Sequence, residues 1–139
     1  MYKQKQMILT TKISDLSTKQ IKLLNTCLEQ ACTDIMGKRQ NINLKISVRK
    51  TSNTLGYYDP DTKIICIYKK NIKNINEWVK VFIHEWQHSL QKKLKRKYAK
   101  YDYKFGYRKN PFEIEARESE KLFKSIVWSF TKHLLKDIQ

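Results

Sequence analysis

The sequence predicts an α+β domain in which a first helix is followed by a small sheet and then by two more helices. Three observations support this fold class. Apolar residues recur at three- and four-residue steps in three segments, they alternate with polar residues in another, and turn-forming residues lie between these segments. Because 139 residues is an ordinary length for one domain, we expect residues 1–139 to form a single domain with one hydrophobic core.

The first predicted element is an amphipathic helix over residues 17–36. Ser17 and Gln20 have the spacing of a capping box, and Gly37 follows as a stop signal. The apolar stripe that should face the core consists of Ile21, Leu24, Cys27, Leu28, Ala31, Cys32 and Ile35.

Two strands are predicted after this helix. Residues 44–49 alternate between apolar and polar side chains, which is typical of a half-buried strand. A turn-rich stretch containing Gly56 and Pro60 follows, and the apolar run at residues 64–68 predicts the second strand. We expect the two strands to pair or to share one small sheet.

Two further helices are predicted, with a loop between them. Residues 74–94 form the second helix, residues 95–109 a loop rich in Lys and Tyr, and the last helix opens at Asn110 with Pro111 in its first turn. The apolar stripe of the second helix is Ile75, Val79, Phe82, Trp86 and Leu90. The stripe expected for the last helix is Phe112, Ala116, Ser119, Phe123, Ile126 and Phe130.

The net charge, the cysteines and the lack of a long apolar run exclude several classes of protein. The 29 Lys and Arg residues against 13 Asp and Glu give a net charge of +16, which favours acidic partners. Cys27, Cys32 and Cys66 form no CxxC pair, so neither a disulfide framework nor a thiolate zinc site is expected. No apolar run approaches the ~20 residues needed to span a bilayer, and the N-terminus lacks a signal-peptide pattern, so we expect an intracellular protein without membrane association.

The second helix contains the sequence HEWQH, an HExxH motif formed by His84, Glu85 and His88. Histidines four residues apart on a helix lie on the same face, so both imidazoles can reach one ion. Imidazole nitrogens are ligands that zinc prefers. Glu85 lies beside this pair and can act as a general base toward a water at the metal.

Two other interpretations of the motif were considered. A chance match is expected in only about one sequence in 300 of this composition. The two histidines could instead be structural, each satisfied by a hydrogen bond in the fold. The metal site is favoured because the histidines belong to a stripe of their own, turned away from the apolar stripe of the helix and formed by Glu77, Val81, His84, His88 and Gln91.

A catalytic zinc needs a third protein ligand. The extended metzincin pattern is absent, and His133 lies far along the chain near the C-terminus. The first turns of the last helix offer Glu113 and Glu115. The alternative role for both is stabilisation of the helix dipole by a negative charge.

HExxH followed by a glutamate on the next helix resembles the gluzincin class of zinc metallopeptidases and its small stand-alone members, the minigluzincins. The stretches HEWQHSLQ and NPFEIEAR are also similar to compact phage, viral and bacterial zincin-like proteins, which have a Gln at the position of Gln91 and an ExEA element. The resemblance covers residues 56 to about 123. It implies a zincin-like fold, a Zn²⁺ cofactor, His84, His88 and Glu113 as ligands, and Glu115 as the fallback ligand.

The implied activity is that of an endopeptidase in which Glu85 activates a water against a peptide bond of a protein or peptide substrate. Zincins hold an extended substrate along an edge strand, a role that the resemblance gives to residues 63–68. The candidate oxyanion donors in the loop expected to border the cleft are Tyr101, Tyr103, Tyr107 and Arg108, with Tyr107 and Arg108 put first, and the alternative for each is a side chain on a solvated loop. Related families often have Asp or Asn where this chain has Arg117. Either Glu118 or Glu120 orients a ligand histidine instead, or the site is less well ordered than in the typical member.

The predicted loop at residues 95–109 and the residues just before it are strongly basic. Nine cations and five aromatic residues accompany a single acid, Asp102. Cations and rings together are typical of single-strand nucleic-acid binding, but they also fit a solvated loop. The alternative function is therefore a basic nucleic-acid-binding module whose metal site is structural or vestigial, while the oligomeric state is left open. The candidate nucleic-acid contacts are Lys92, Lys93, Lys95, Arg96 and Lys97.

Overall fold

The computed structural model describes residues 7–39, 45–50 and 52–137. Within these residues the fold is α+β, as predicted, with four α-helices and one three-stranded sheet. None of the helices in the described ranges is long and apolar enough to cross a membrane. In chain order, the elements are α1 (Thr18–Met36), β1 (Lys45–Arg49), β2 (Gly56–Asp59), β3 (Ile64–Tyr68), α2 (Ile75–Leu90), α3 (Leu94–Phe105) and α4 (Pro111–Asp137).

The first helix begins and ends where the sequence predicts. Ser17 Oγ accepts a hydrogen bond from Gln20 N at 3.1 Å, and Ser17 N donates to Gln20 Oε1 at 2.8 Å, which completes the capping box. Gly37 follows the helix with a φ of 93°, a conformation that favours glycine. The predicted apolar stripe is buried or packs against the core.

The sheet has the strand order β1-β3-β2. The two predicted strands pair in parallel, with Lys45 opposite Ile64, although Leu44 lies outside the described residues. The sequence analysis missed β2, which pairs antiparallel with β3 inside the stretch read as turns. Assignment of the edge-strand role to residues 63–68 was wrong, because β3 is paired on both sides and the edge next to α2 is β2.

Helix α2 packs its apolar stripe into the core, as predicted. Asn74 caps it by accepting a hydrogen bond from Glu77 N at 3.0 Å. The buried Trp78 donates through Nε1 to Asn25 Oδ1 at 2.8 Å and so ties α2 to α1. The helix ends at Leu90 rather than at residue 94, since Gln91 already has an extended backbone.

The predicted loop at residues 95–109 is wrong over most of its length, because Leu94–Phe105 forms helix α3. Its many Lys residues are good helix formers, and the wide spacing of its apolar residues obscures a helical stripe. That stripe packs on Phe112 at the start of α4, where the Tyr101 and Phe112 ring centroids are 5.4 Å apart. The helix ends at Gly106, which has a φ of 78°.

Helix α4 begins as predicted, with Asn110 Oδ1 accepting from Phe112 N at 3.0 Å. The second half of its predicted buried stripe was wrong, because Ile126 is 54% exposed and Phe130 is 37% exposed. The buried residues of α4 follow one another at four-residue steps, and each such step rotates ~40° more than one full turn of the helix. The buried line therefore winds around α4, which packs against both α1 and α2. The buried or partly buried line is Ser119, Phe123, Val127, Thr131 and Leu135.

Candidate metal centre

Helices α2 and α4 bring two imidazoles and a carboxylate together. His84 and His88 lie one turn apart on α2, with ring centroids 4.9 Å apart. Glu113, in the first turn of α4, places Oε1 at 2.8 Å from His84 Nε2 and 3.2 Å from His88 Nε2. All three donor atoms lie within 4.8 Å of one another. Two imidazole nitrogens and one carboxylate oxygen are a donor set that suits Zn²⁺, so the residues fit this metal.

Each of the three candidate ligands is held by a further side chain. His84 Nδ1 donates to Glu120 Oε2 at 2.7 Å, and His88 Nδ1 donates to Gln91 Oε1 at 2.6 Å. The other carboxylate oxygen of Glu113 accepts a hydrogen bond from Tyr98 Oη. These contacts leave both Nε2 atoms and Oε1 of Glu113 facing one point, which is the arrangement expected around a bound metal.

The orientation of Gln91 is fixed by its own amide nitrogen. Nε2 donates to the carbonyl of Phe112 at 2.8 Å and to Glu115 Oε1 at 3.0 Å, so Oε1 is the atom left to face His88. Gln91 is 5% exposed. Burial and three hydrogen bonds thus fix Gln91. Gln91 in turn orients the ring of His88 and connects the end of α2 to the start of α4.

The hydrogen bonds shift the protonation of the cluster. Burial alone would lower the pKa of His84, but contacts with Glu113 and Glu120 outweigh it and raise this pKa to about 10. The pKa of His88 is also raised, against the effect of burial, chiefly by its hydrogen bond to Glu113. Burial would raise the pKa of Glu113, yet the two imidazoles hold it well below its usual range. Without metal, the cluster therefore contains a carboxylate beside the imidazolium ring of His84.

Glu85 lines the same cleft as this cluster and is 7% exposed. Burial raises its pKa, an effect that the nearby His88 and His84 only partly offset. A carboxyl group with a raised pKa suits a residue that both accepts and donates a proton near neutral pH. Glu85 follows His84 directly in the sequence and lines the same cleft.

Two cavities share His84 and Glu85 in their walls. One, of about 470 Å³, is also lined by residues of β2 and α3, and the other, of about 570 Å³, by Arg117 and Glu120 on α4. Tyr107 lines both cavities. Each volume lies in the range of ~300–1,000 Å³ that is typical of ligand clefts.

The remaining predicted site residues lie outside the cluster. Glu115 is exposed and accepts hydrogen bonds from Gln87 Nε2 and Gln91 Nε2, both at 3.0 Å, so it supports Gln91 rather than facing the histidines. His133 is exposed on the last turns of α4, 3.8 Å from Asp137. The side chain of Arg108 is exposed, and its carbonyl accepts from Arg117. Of the two expected oxyanion donors, the cleft is lined by Tyr107.

The five candidate nucleic-acid contacts lie on α3 or immediately before it, not on a loop. Four of them are exposed, and Lys97 is partly buried. Lys95 lines the cleft and pairs with Asp61 at 2.7 Å across from the turn after β2.

Tyr98 and strand β2 belong to the site but were not predicted from the sequence. Tyr98 follows Leu94 by four residues and precedes Tyr101 by three, so the helical stripe of α3 was the signal that could have placed it. For β2, the signal was the pair of tyrosines after Gly56, since aromatic residues favour strands.

Comparison of the chain with known protein families and with curated proteins finds no match to either.

Proposed function

We propose that this protein is a zinc-dependent endopeptidase of the gluzincin type, with a zincin-like arrangement of its α+β fold. The observation that supports it most strongly is the convergence of His84 Nε2, His88 Nε2 and Glu113 Oε1 within 4.8 Å. A buried carboxyl group, Glu85, adjoins them in a cleft. Structural histidines would need partners but would not need a base and a substrate-sized cleft beside them.

His84, His88 and Glu113 would hold the zinc, and Glu85 and Tyr107 would act on the substrate. When bound, zinc polarises a peptide carbonyl and lowers the pKa of a water toward ~7. Glu85 accepts the proton of the attacking water and passes it to the leaving amine, a transfer that its raised pKa favours. The Tyr107 hydroxyl can donate a hydrogen bond to the oxyanion from the cleft wall.

Two features of the cleft support internal cleavage of an extended chain. Two cavities share His84 and Glu85 in their walls, so an extended polypeptide lying across both would need no free end at the site. Strand β2 forms the sheet edge beside the cleft, and Gly56, Tyr57 and Tyr58 line it. An edge strand can pair with a substrate backbone whatever its side chains.

The test compares E85Q with the wild-type protein and with E118Q, which changes an exposed glutamate of α4 in the same way. Zinc per chain is measured by mass spectrometry, and cleavage is followed on a library of internally quenched peptides. We expect about one zinc per chain in all three proteins. Cleavage should fall by ~10²–10⁴-fold in E85Q alone.

Three results would overturn the proposal. The first is peptide cleavage by E85Q at the wild-type rate, which would remove Glu85 from the reaction. The second is a wild-type protein that takes up no zinc, and the third is one that binds zinc but cleaves no peptide in the library.

A further inference from the structure

The basic charge of the protein is concentrated in one short segment. Residues 91–109 hold nine basic residues and one acidic residue, a net charge of +8, which is half of the +16 carried by all 139 residues. Helix α3 makes up most of this segment. A stretch of about one-seventh of the chain therefore dominates the electrostatic field of the surface around it.

Helix α3 has two unlike faces. Its inner face carries Tyr98, which stacks on Phe112 and bonds to Glu113, and Tyr101, which packs on the same ring. The outer face is defined by Lys92, which lies just before the helix, and by Arg96, Lys100, Tyr103 and Lys104 on it, all of them exposed. Arg96, Lys100 and Tyr103 follow one another at helical spacing, so they form one continuous line on the surface.

The cations of the outer face have no carboxylate partners in the described part of the chain. In residues 91–109, the only ion pair found there is that of Lys95 with Asp61, and Lys95 belongs to the cleft side. Tyr103, amid these cations, is 95% exposed. A nearly fully exposed aromatic ring among positive charges without carboxylate partners buries little surface in the fold, which points to a ligand that offers both negative charge and flat surfaces.

We propose that the outer face of α3 binds single-stranded nucleic acid, with phosphates at the cations and a base stacked on Tyr103. The inference does not rest on the proposed peptidase activity. An anionic membrane is disfavoured because the apolar stripe that would have to enter lipid is largely occupied by Phe112 and the metal-site side of the molecule. Since a helix is ~10–12 Å across, the bound strand would lie about one helix diameter from the cleft.

The test measures binding of a fluorescent 20-mer oligothymidylate to the zinc-loaded full chain by anisotropy over a range of salt concentrations. The outer-face variant combines K92Q, R96Q, K100Q and K104Q. The matched control removes the same charge from exposed lysines on the rest of the surface through K12Q, K19Q, K22Q and K136Q.

We expect the outer-face variant to lose at least tenfold in affinity and the control less than threefold. The slope of log K against log salt should fall by about 2–3 in the outer-face variant, since each lost phosphate contact removes ~0.7. Y103A should lose about five- to tenfold for the single strand while Y103F keeps it, because stacking needs the ring and not the hydroxyl. Circular dichroism confirms that each variant is folded.

Three results would overturn the proposal: equal loss of affinity in the outer-face variant and the control, full binding by Y103A, or binding to vesicles containing phosphatidylserine without binding to the oligonucleotide. H84A separates this proposal from the proposed function, because it should lose zinc and peptide cleavage but keep oligonucleotide binding.

Discussion

Glu120 accepts a hydrogen bond from Nδ1 of His84 at 2.7 Å. Seven residues earlier, on the same face of α4, Glu113 meets Nε2 of the same ring at 2.8 Å. One helix thus supplies both a candidate ligand and the group that orients a second one. Of the two glutamates expected to replace the missing Asp or Asn at Arg117, Glu120 makes this contact, while Glu118 is exposed to solvent.

We predict that E120Q weakens zinc binding without abolishing it. A neutral amide makes the imidazole of His84 less basic and holds it less firmly, and changes to such supporting groups typically cost ~10–100-fold in metal affinity. Zinc affinity is measured by competition with a chromophoric chelator. E118Q, the matched control, should bind like wild-type protein, and equal affinities for all three proteins would show that Glu120 does not orient His84.

Tyr98 should matter in the same way for Glu113. Y98F removes the hydroxyl that bonds to the outer oxygen of this carboxylate but keeps the ring that stacks on Phe112. We expect zinc affinity to fall by ~10-fold with little change in stability. In Y101F the lost hydroxyl belongs to a ring that packs on the same Phe112, so its zinc affinity should be unchanged. A loss of the same size in Y101F would mean that the effect does not come from the hydrogen bond between Tyr98 and Glu113.

How far the sequence predicts the site depends on how local each contact is. His84 and His88 are fixed by helical spacing, so the sequence places them on one face without knowledge of the fold. Glu113 and Glu120 reach them only because α4 packs against α2, and sequence analysis could only offer them among other acids of that helix. Gln91 lies three residues after His88, so its contact with that ring is local and falls within the predicted stripe. Tyr98 reaches Glu113 only because α3 packs against the start of α4, although its position in the stripe of α3 is periodic.

For the fold, too, the elements with local sequence signals were predicted better than those that depend on tertiary contacts. The helices with strong apolar stripes or caps, α1 and α2, were predicted well because their signals are local. The sequence predicts a loop in place of helix α3 because the residues of α3 are mostly polar. The aromatic side chains of its inner face are covered by the start of α4 rather than by the main core. Strand β2 depends on pairing with β3, which a four-residue segment cannot reveal by itself.

We predict that zinc binding at neutral pH releases protons from the cluster. In the metal-free protein the pKa of His84 is raised to about 10, so its ring is charged at pH 7. A metal ligand must be neutral, and binding should therefore release ~1–2 protons per zinc. Calorimetry in buffers of different ionisation enthalpy measures this number. No dependence of the observed enthalpy on the buffer would contradict the protonated cluster.

The same shift predicts how the metal-free protein responds to alkali. The pKa of His84 is higher in the folded chain than its ordinary value of 6.5, so the stabilising contacts of the charged ring are complete below pH 6.5 and disappear as pH rises toward 10. Chelator-treated protein should thus melt at progressively lower temperature across this range. Zinc-loaded protein, whose His84 holds no proton on Nε2, should show a much smaller decline in its melting temperature.

We predict that replacing Gly56 by alanine lowers stability because there is no space for a Cβ, and not because the backbone conformation at this position requires glycine. A Cβ there would lie 2.8 Å from the carbonyl oxygen of Cys66 and 3.0 Å from Cγ1 of Val81, so G56A must push β2 away from β3 and α2. We expect a loss of ~1–3 kcal/mol in the free energy of unfolding. Peptide cleavage should also fall, because β2 forms one wall of the cleft and Glu85 Cγ lies only 3.7 Å from the added atom.

The control for this prediction is G37A. Gly37 has a φ of 93° and no heavy atom within 4 Å of the position of a Cβ, so alanine there strains the backbone without touching the cleft. It should lower stability by ~1 kcal/mol and leave peptide cleavage unchanged. Urea unfolding and the quenched-peptide assay measure the two effects separately. If G56A and G37A lowered stability and cleavage in the same proportion, cleavage would follow stability alone, and the close approach of β2 to α2 would have no special role in the site.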